Sequence, residues 1–101
     1  MESSTTLTLW DRRDRLSIMT EILEMAREGR LKTQIMYGVN LSFSQLKEYL
    51  LFLTEMGFLE VRRENRKRIY ETTAKGIQYV ESYIGMSNLL RKTDSTEEPL
   101  L

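Results

Sequence analysis

Residues 58–73 read Phe58-Leu59-Glu60-Val61-Arg62-Arg63-Glu64-Asn65-Arg66-Lys67-Arg68-Ile69-Tyr70-Glu71-Thr72-Thr73. Up to Gly57 the apolar residues recur at helical spacing. From Phe58 the pattern becomes extended, with Leu59 and Val61 before a charged stretch and Ile69, Tyr70 and Thr72 after it. Two such runs around a polar centre predict a β-hairpin. Its centre, residues 62 to 68, holds five cations and one anion, so the hairpin is expected to carry a basic tip. The chain of 101 residues has 15 basic and 15 acidic side chains and a formal net charge of zero, which makes this cluster a local feature rather than a bulk one.

Helical signals lie on both sides of the hairpin. Before it, Ser42-Phe43-Ser44-Gln45 fits a capping box, in which Ser accepts from the third amide and Gln reaches back. The helix it opens is predicted to run to about Met56, with Leu46, Tyr49, Leu50, Phe52, Leu53 and Met56 on a broad apolar side. Ser44, Lys47, Glu48, Thr54 and Glu55 lie opposite, and Leu51 is an apolar exception among them. Gly57 ends that helix and Phe58 is placed to fold back on its last turn. A shorter helix precedes it, with Thr33 as expected cap, Ile35, Met36 and Val39 buried, and an end near Gly38-Val39-Asn40. The first helix is expected between Asp11 as N-cap and Gly29 as left-handed closure. Its core face is Leu16, Ile18, Met19, Ile22, Leu23, Met25 and Ala26; its wet face is Ser17, Thr20, Glu21, Glu24, Arg27 and Glu28.

After the hairpin, Thr73 can cap a last helix over residues 74–91 that carries two apolar stripes. Ile77, Val80 and Ile84 can pack on the body of the domain. Tyr79, Tyr83, Met86 and Leu90, spaced 4, 3, 4, form a second series turned away from the first. The second series either packs against the first helix and the N-terminal Leu7, Leu9 and Trp10, or pairs with its copy in a homodimer.

Helix, short helix, turn, helix, hairpin, helix is the order of a winged helix-turn-helix. The expected fold is therefore α+β: mostly α with a small β-hairpin, ending in a C-terminal dimerisation helix. Residues 1–10 read as an N-terminal extension, 11–92 as the domain and 93–101 as a flexible acidic tail. In such a scaffold the third helix can enter the major groove of duplex DNA while the hairpin flanks it. The candidate DNA-binding residues are Arg62, Arg63, Arg66, Lys67 and Arg68 of the hairpin, and Ser44, Gln45 and Lys47 near the start of the third helix. Each has a plainer reading. Charges on a hairpin keep an exposed edge soluble, Gln45 can be consumed by the capping box, and Leu51 can be a singly exposed leucine, a thymine-methyl contact or a contact to another subunit. The cluster Arg12, Arg13 and Arg15 is interleaved with Asp11 and Asp14, so local ion pairs compete with phosphate contacts there.

Composition narrows the classes of function. With neither Cys nor His, the chain lacks disulfides, thiolate metal sites, the commonest general base and most transition-metal ligands. It also lacks a Gly-rich phosphate loop, and its acids sit one turn apart on wet helix faces, so no enzyme, metal or cofactor is expected. No apolar run reaches the roughly 20 residues that span a bilayer, and Met1-Glu2-Ser3-Ser4 does not read as a secretory signal; a cytoplasmic, nucleoid-associated protein is the expectation.

The run Ile18 to Ala26, Lys32-Thr33-Gln34-Ile35-Met36, Leu41-Ser42 with Leu46, Tyr49 and Leu50, Gly57-Phe58-Leu59, and Tyr70-Glu71-Thr72-Thr73-Ala74-Lys75-Gly76 together resemble the archaeal winged-helix DNA-binding proteins of the Sso10a type and related small regulators. The resemblance covers roughly residues 14–84. Its last motif reads Tyr, any residue, Leu, Thr, any residue, Lys, Gly. Thr72 stands where Leu is expected, which should weaken the packing of the second hairpin strand. The resemblance implies DNA binding with modest sequence preference, sequence-tolerant or sequence-specific, by a dimer joined through its C-terminal helix, in transcription regulation or chromatin association. The competing function is a protein–protein interaction module on the same fold.

Overall fold

The computed structural model describes residues 14–100, with side chains from residue 14 to Leu90. The expected extension 1–10 and the Asp11 cap lie outside the described residues. Helix α1 spans Arg15–Met25, and its cap is Asp14, whose Oδ1 accepts from the Ser17 amide at 2.8 Å. Met19, Ile22, Leu23 and Ala26 are buried as the wheel requires, and so is Thr20, which was assigned to the wet face. The reason is hydrogen bonding: Thr20 Oγ1 donates to the Leu16 carbonyl at 2.8 Å and lies 3.2 Å from the Tyr79 hydroxyl, so its one polar atom is satisfied inside.

The chain turns at Gly29, whose φ of 93° favours glycine, and enters a two-residue strand β1, Arg30–Leu31. This strand was not anticipated; two residues are too few to show a period. Helix α2, Lys32–Val39, follows directly. Its cap is Leu31, not Thr33: the Leu31 amide donates to Gln34 Oε1 at 2.9 Å, so the long amide side chain satisfies the orphan donor. Asn40, with φ of 59°, closes α2 in the left-handed region.

Helix α3, Phe43–Glu55, starts with the predicted capping box: Gln45 N donates to Ser42 Oγ at 3.2 Å and Ser42 N to Gln45 Oε1 at 3.0 Å. It ends in the Schellman closure read from Gly57-Phe58, with Phe58 N bonded to Leu53 O at 2.9 Å and Gly57 N to Thr54 O at 3.0 Å. Leu46, Leu50 and Leu53 are buried, but Phe52 and Met56, assigned to the core side, are 46% and 40% exposed. The body is narrower than the apolar stripe.

Strands β2, Leu59–Glu64, and β3, Lys67–Thr72, form the hairpin, and β1 adds to its free edge to give an antiparallel sheet in the order β1-β3-β2. Thr72 does not weaken β3. It is buried, its Oγ1 donates to Leu23 O at 2.6 Å and its amide to Ala26 O at 2.9 Å, so the strand is tied to the end of α1 by hydrogen bonds where a leucine would pack. The core, built on Ile22, Leu23, Ile35, Leu46, Leu53, Leu59 and Val80, sits where three helices, the sheet and the last helix meet.

Helix α4 spans Ala74–Leu100 and passes the end expected near Arg91. Thr73 caps it as predicted, accepting from Gly76 N at 3.1 Å.

Candidate nucleic-acid interface

The hairpin turn consists of Asn65 and Arg66 alone, both with positive φ (51° and 67°), as a two-residue turn matched to strand twist requires. The cations are thus not clustered at a tip. Arg62 and Arg63 lie on β2, Lys67 and Arg68 on β3, and Arg66 in the turn. Register sorts them by face, because residues directly opposite in an antiparallel pair share a face and neighbours along a strand do not. Leu59↔Thr72, Val61↔Tyr70 and Arg63↔Arg68 share the core-side face. Glu60↔Glu71, Arg62↔Ile69 and Glu64↔Lys67 share the other. Beyond the core, then, one face of the ribbon carries Arg63 directly opposite Arg68, with half-exposed Val61 beneath them.

The opposite face is electrically mixed. Arg62 pairs with Glu71 and, at 3.7 Å, with Glu64. Its guanidinium folds back so far that a Cβ on Gly29 would lie 3.3 Å from Nη2. Arg62 therefore lies along this face against the α1–β1 turn, paired with Glu71 and Glu64 and 40% exposed. Among the described residues, Arg63, Arg66, Lys67 and Arg68 form no ion pair.

Helix α3 is also two-sided. Its exposed arc carries Ser44, Lys47, Glu48, Leu51 and Glu55. Gln45 is committed at its Oε1 to the capping box and Ser44 Oγ lies 3.5 Å from the capping Ser42 Oγ, so of the three residues assigned to base contacts only Lys47 stands wholly outside the cap. On the flank toward α2, Lys32 Nζ sits 4.2 Å from the centroid of the Phe43 ring, one turn before Lys47. On the other flank Gln45, Glu48, Tyr49 and Phe52 line an open groove shared with Arg15, Leu16 and Met19 of α1. Lysines border one side of the helix, and a mostly apolar groove with Glu48 and Arg15 borders the other. Leu51, 60% exposed, is left outward on the arc, as its wheel position requires.

The residues assigned to a dimer interface divide along α4. Tyr79 is used within the chain: its hydroxyl donates to Leu16 O at 2.6 Å and its ring stacks on Phe58 with centroids 5.3 Å apart. Burial pushes the Tyr79 hydroxyl above the ordinary phenol pKa, partly offset by the Thr20 hydrogen bond. Tyr83 stacks on Tyr79 at 6.3 Å and is half-buried. Met86 and Leu90, 55% and 63% exposed, face outward beyond the body. Ile84, assigned to the body with Ile77 and Val80, is 39% exposed; Val80 is fully buried and Ile77 half-buried, so packing fades one turn past Val80.

A comparison with known families decides the class. Residues 12–91 match the model of the family described as winged helix-turn-helix. The chain belongs to that family. An uncharacterized protein of Methanocaldococcus jannaschii is 35% identical over 54 residues, 52% of this chain and 56% of the relative, so the match spans little more than half of that protein. Among solved structures, Sso10a-2, a DNA-binding protein from Sulfolobus solfataricus, is similar at TM-score 0.70 and 28% identity, covering 88% of this chain and 97% of that one. MepR, a transcription regulator of the Staphylococcus aureus multidrug efflux pump MepA, is similar at TM-score 0.73 and 14% identity over 95% of this chain and 73% of that one, a likeness of fold.

Within this winged helix-turn-helix chain, sequence reasoning missed Lys32 and Tyr37. Tyr37 is 79% exposed at the middle of α2's outer face, and Lys32 is brought beside Phe43 by the tight α2–α3 connection. Neither stands out in sequence, because a single Lys or Tyr on a short helix has no pattern to break. Among the described residues no helix is long and apolar enough to cross a membrane.

Proposed function

We propose that this protein binds duplex DNA as a winged-helix homodimer, in transcription regulation or chromatin association in the cytoplasm, at the nucleoid. Arg63, Arg66 and Arg68 of the ribbon and Lys47 of α3 contact phosphates, joined by Lys67, and Ser44 reaches base edges. The observation that carries this reading is the Arg63–Arg68 pair. Like charges directly across a β-ladder oppose folding, and no described carboxylate pairs with them. An anion held between the two arginines removes the repulsion, and a DNA backbone supplies a row of them. The similarity to Sso10a-2 and to MepR, which has been solved bound to DNA, supports the same reading.

The dimer rests on Met86 and Leu90, which continue the Tyr83 series at spacings of three and four on a helix of 27 residues, about 40 Å long. Pairing two such helices places two ribbons on one duplex and raises affinity through effective concentration.

The test is duplex affinity at two ionic strengths for the parent chain and for Arg63→Ala/Arg66→Ala/Arg68→Ala. Weaker binding with a shallower salt dependence is expected from the triple variant; equal affinity and equal slope would refute the DNA reading. One observation favours a protein partner instead: Leu51 and Phe52 are exposed beside Glu48 and Glu55 on α3. Duplex binding that is absent at low salt would point there.

A further inference from the structure

The first turn of α4 is bonded to the last turn of α3 more closely than capping alone requires. Thr73 Oγ1 donates to Gly57 O at 2.6 Å, the Thr73 amide to Phe58 O at 2.9 Å, and Lys75 Nζ to Met56 O at 2.8 Å. Lys75 also stands over the Phe58 ring, 5.4 Å from its centroid, while Tyr79 stacks on the same ring. A Cβ on Gly76 would overlap the Phe58 carbonyl oxygen, so α4 passes against this backbone with no space for a side chain. Three consecutive carbonyls at the end of α3, those of Met56, Gly57 and Phe58, are thus held by donors from the start of α4. An ammonium at a helix C-terminus also meets the negative end of the macrodipole.

This node has a mechanical meaning. The same residues, Met56 to Phe58, terminate α3 and lead directly into β2, so both DNA-facing elements spring from it. The outward stripe of α4 begins at Met86, about three turns beyond Lys75. We infer that Lys75, with Thr73, is a positioning residue that fixes the angle between α4 and α3, so that the geometry of a dimer made through α4 dictates where the two α3 helices and ribbons lie on DNA. The inference rests on the DNA-binding reading for its consequence, but not for the angle itself.

The chain contains no Cys, so cysteines introduced at Glu48 on α3 and Ser82 on α4, both exposed, take spin labels uniquely. With labelled protein diluted in unlabelled chain, pulsed dipolar spectroscopy reads the distance between the two helices within one protomer. Lys75→Met keeps the aliphatic stem and removes the donor and charge. The expected result is a broadened distance distribution that Lys75→Arg narrows again, together with a roughly three- to tenfold loss of duplex affinity at an unchanged salt slope. A distribution as narrow as that of the parent overturns the inference. So does an affinity loss accompanied by a salt slope reduced by about one, which would make Lys75 a phosphate contact. A parent chain that binds no duplex refutes the DNA reading separately, while the width comparison still decides the latch.

Discussion

The ribbon and the C-terminal helix each carry a series of similar side chains, and the structure divides each series by a different rule. On the ribbon the division runs across the strand. Arg62 turns to Glu71, Glu64 and the Gly29 turn, while its neighbour Arg63 turns to the other face and meets Arg68. On α4 the division runs along the axis: Tyr79 is consumed by Leu16, Thr20 and Phe58, whereas Met86 and Leu90, on the same stripe two and three turns later, extend past the body. A strand sorts by parity and a projecting helix by reach. Residues of one chemical type in one motif therefore serve folding in one place and stay exposed in the next.

The largest expected effect separates the two faces of the ribbon. Arg63→Ala with Arg68→Ala should weaken duplex binding by roughly 30- to 100-fold and lower the slope of log affinity against log salt by about two, one counterion per lost phosphate contact. Arg62→Ala should leave affinity within about twofold. Its cost should appear in denaturant unfolding as roughly 0.5–1 kcal/mol, the range of a solvent-accessible ion pair. If Arg62→Ala weakens DNA binding as much as the double variant, the ribbon is not two-sided in function and parity does not sort it.

The next effect tests the division along α4. Met86→Glu should shift the protein toward monomer by at least tenfold in dissociation constant, since a carboxylate would be buried without a partner in a paired-helix seam. Sedimentation equilibrium reads it directly. Thermal stability of the monomer should be nearly unchanged, because Met86 is 55% exposed and touches little of the body. A parent chain that is monomeric at high concentration, or a variant of unchanged mass, would show that α4 projects without pairing.

These contrasts also mark what the sequence could and could not disclose. Signals carried by two or three adjacent residues were legible: Ser42 with Gln45, Gly57 with Phe58, and Thr73 before α4 each form the cap that local chemistry demands. So was the presence of the hairpin. Its sidedness required the register, which follows from a two-residue turn at Asn65-Arg66; had a three-residue loop been used, Arg63 and Arg68 would not be opposite. Strand β1 exists only because β3 offers it an edge. The Leu31–Gln34 cap was hidden because Leu has no polar atom to announce it. For Tyr79 the choice between packing on the first helix and meeting a partner stayed open, because a helical wheel reports direction but not where the body ends; its hydroxyl bonds Leu16 O. Thr20 and Thr72 were undervalued for one reason: each places its hydroxyl on a carbonyl of α1, a partner invisible to hydropathy.

The smallest expected effect concerns Tyr79, where the stripe of α4 first turns inward. Tyr79→Phe retains the ring stack on Phe58 and deletes the donor to Leu16 O, so a loss of about 0.5–1 kcal/mol is expected, a partly exposed hydrogen bond. The pH dependence gives the sharper reading. Burial raises the Tyr79 hydroxyl above its ordinary pKa of 10.0, so the unfolded chain releases this proton before the folded one does. Stability from Tyr79 is therefore complete below that ordinary value and disappears as pH rises through the raised one. Unfolding of the parent and of Tyr79→Phe, followed from neutral to strongly alkaline pH, should give curves that are separated at neutral pH and converge above about 10. A gap that stays constant across that range would mean that the hydroxyl does not hold α4 to α1, and that the inner half of the stripe is as free to meet a partner as the outer half.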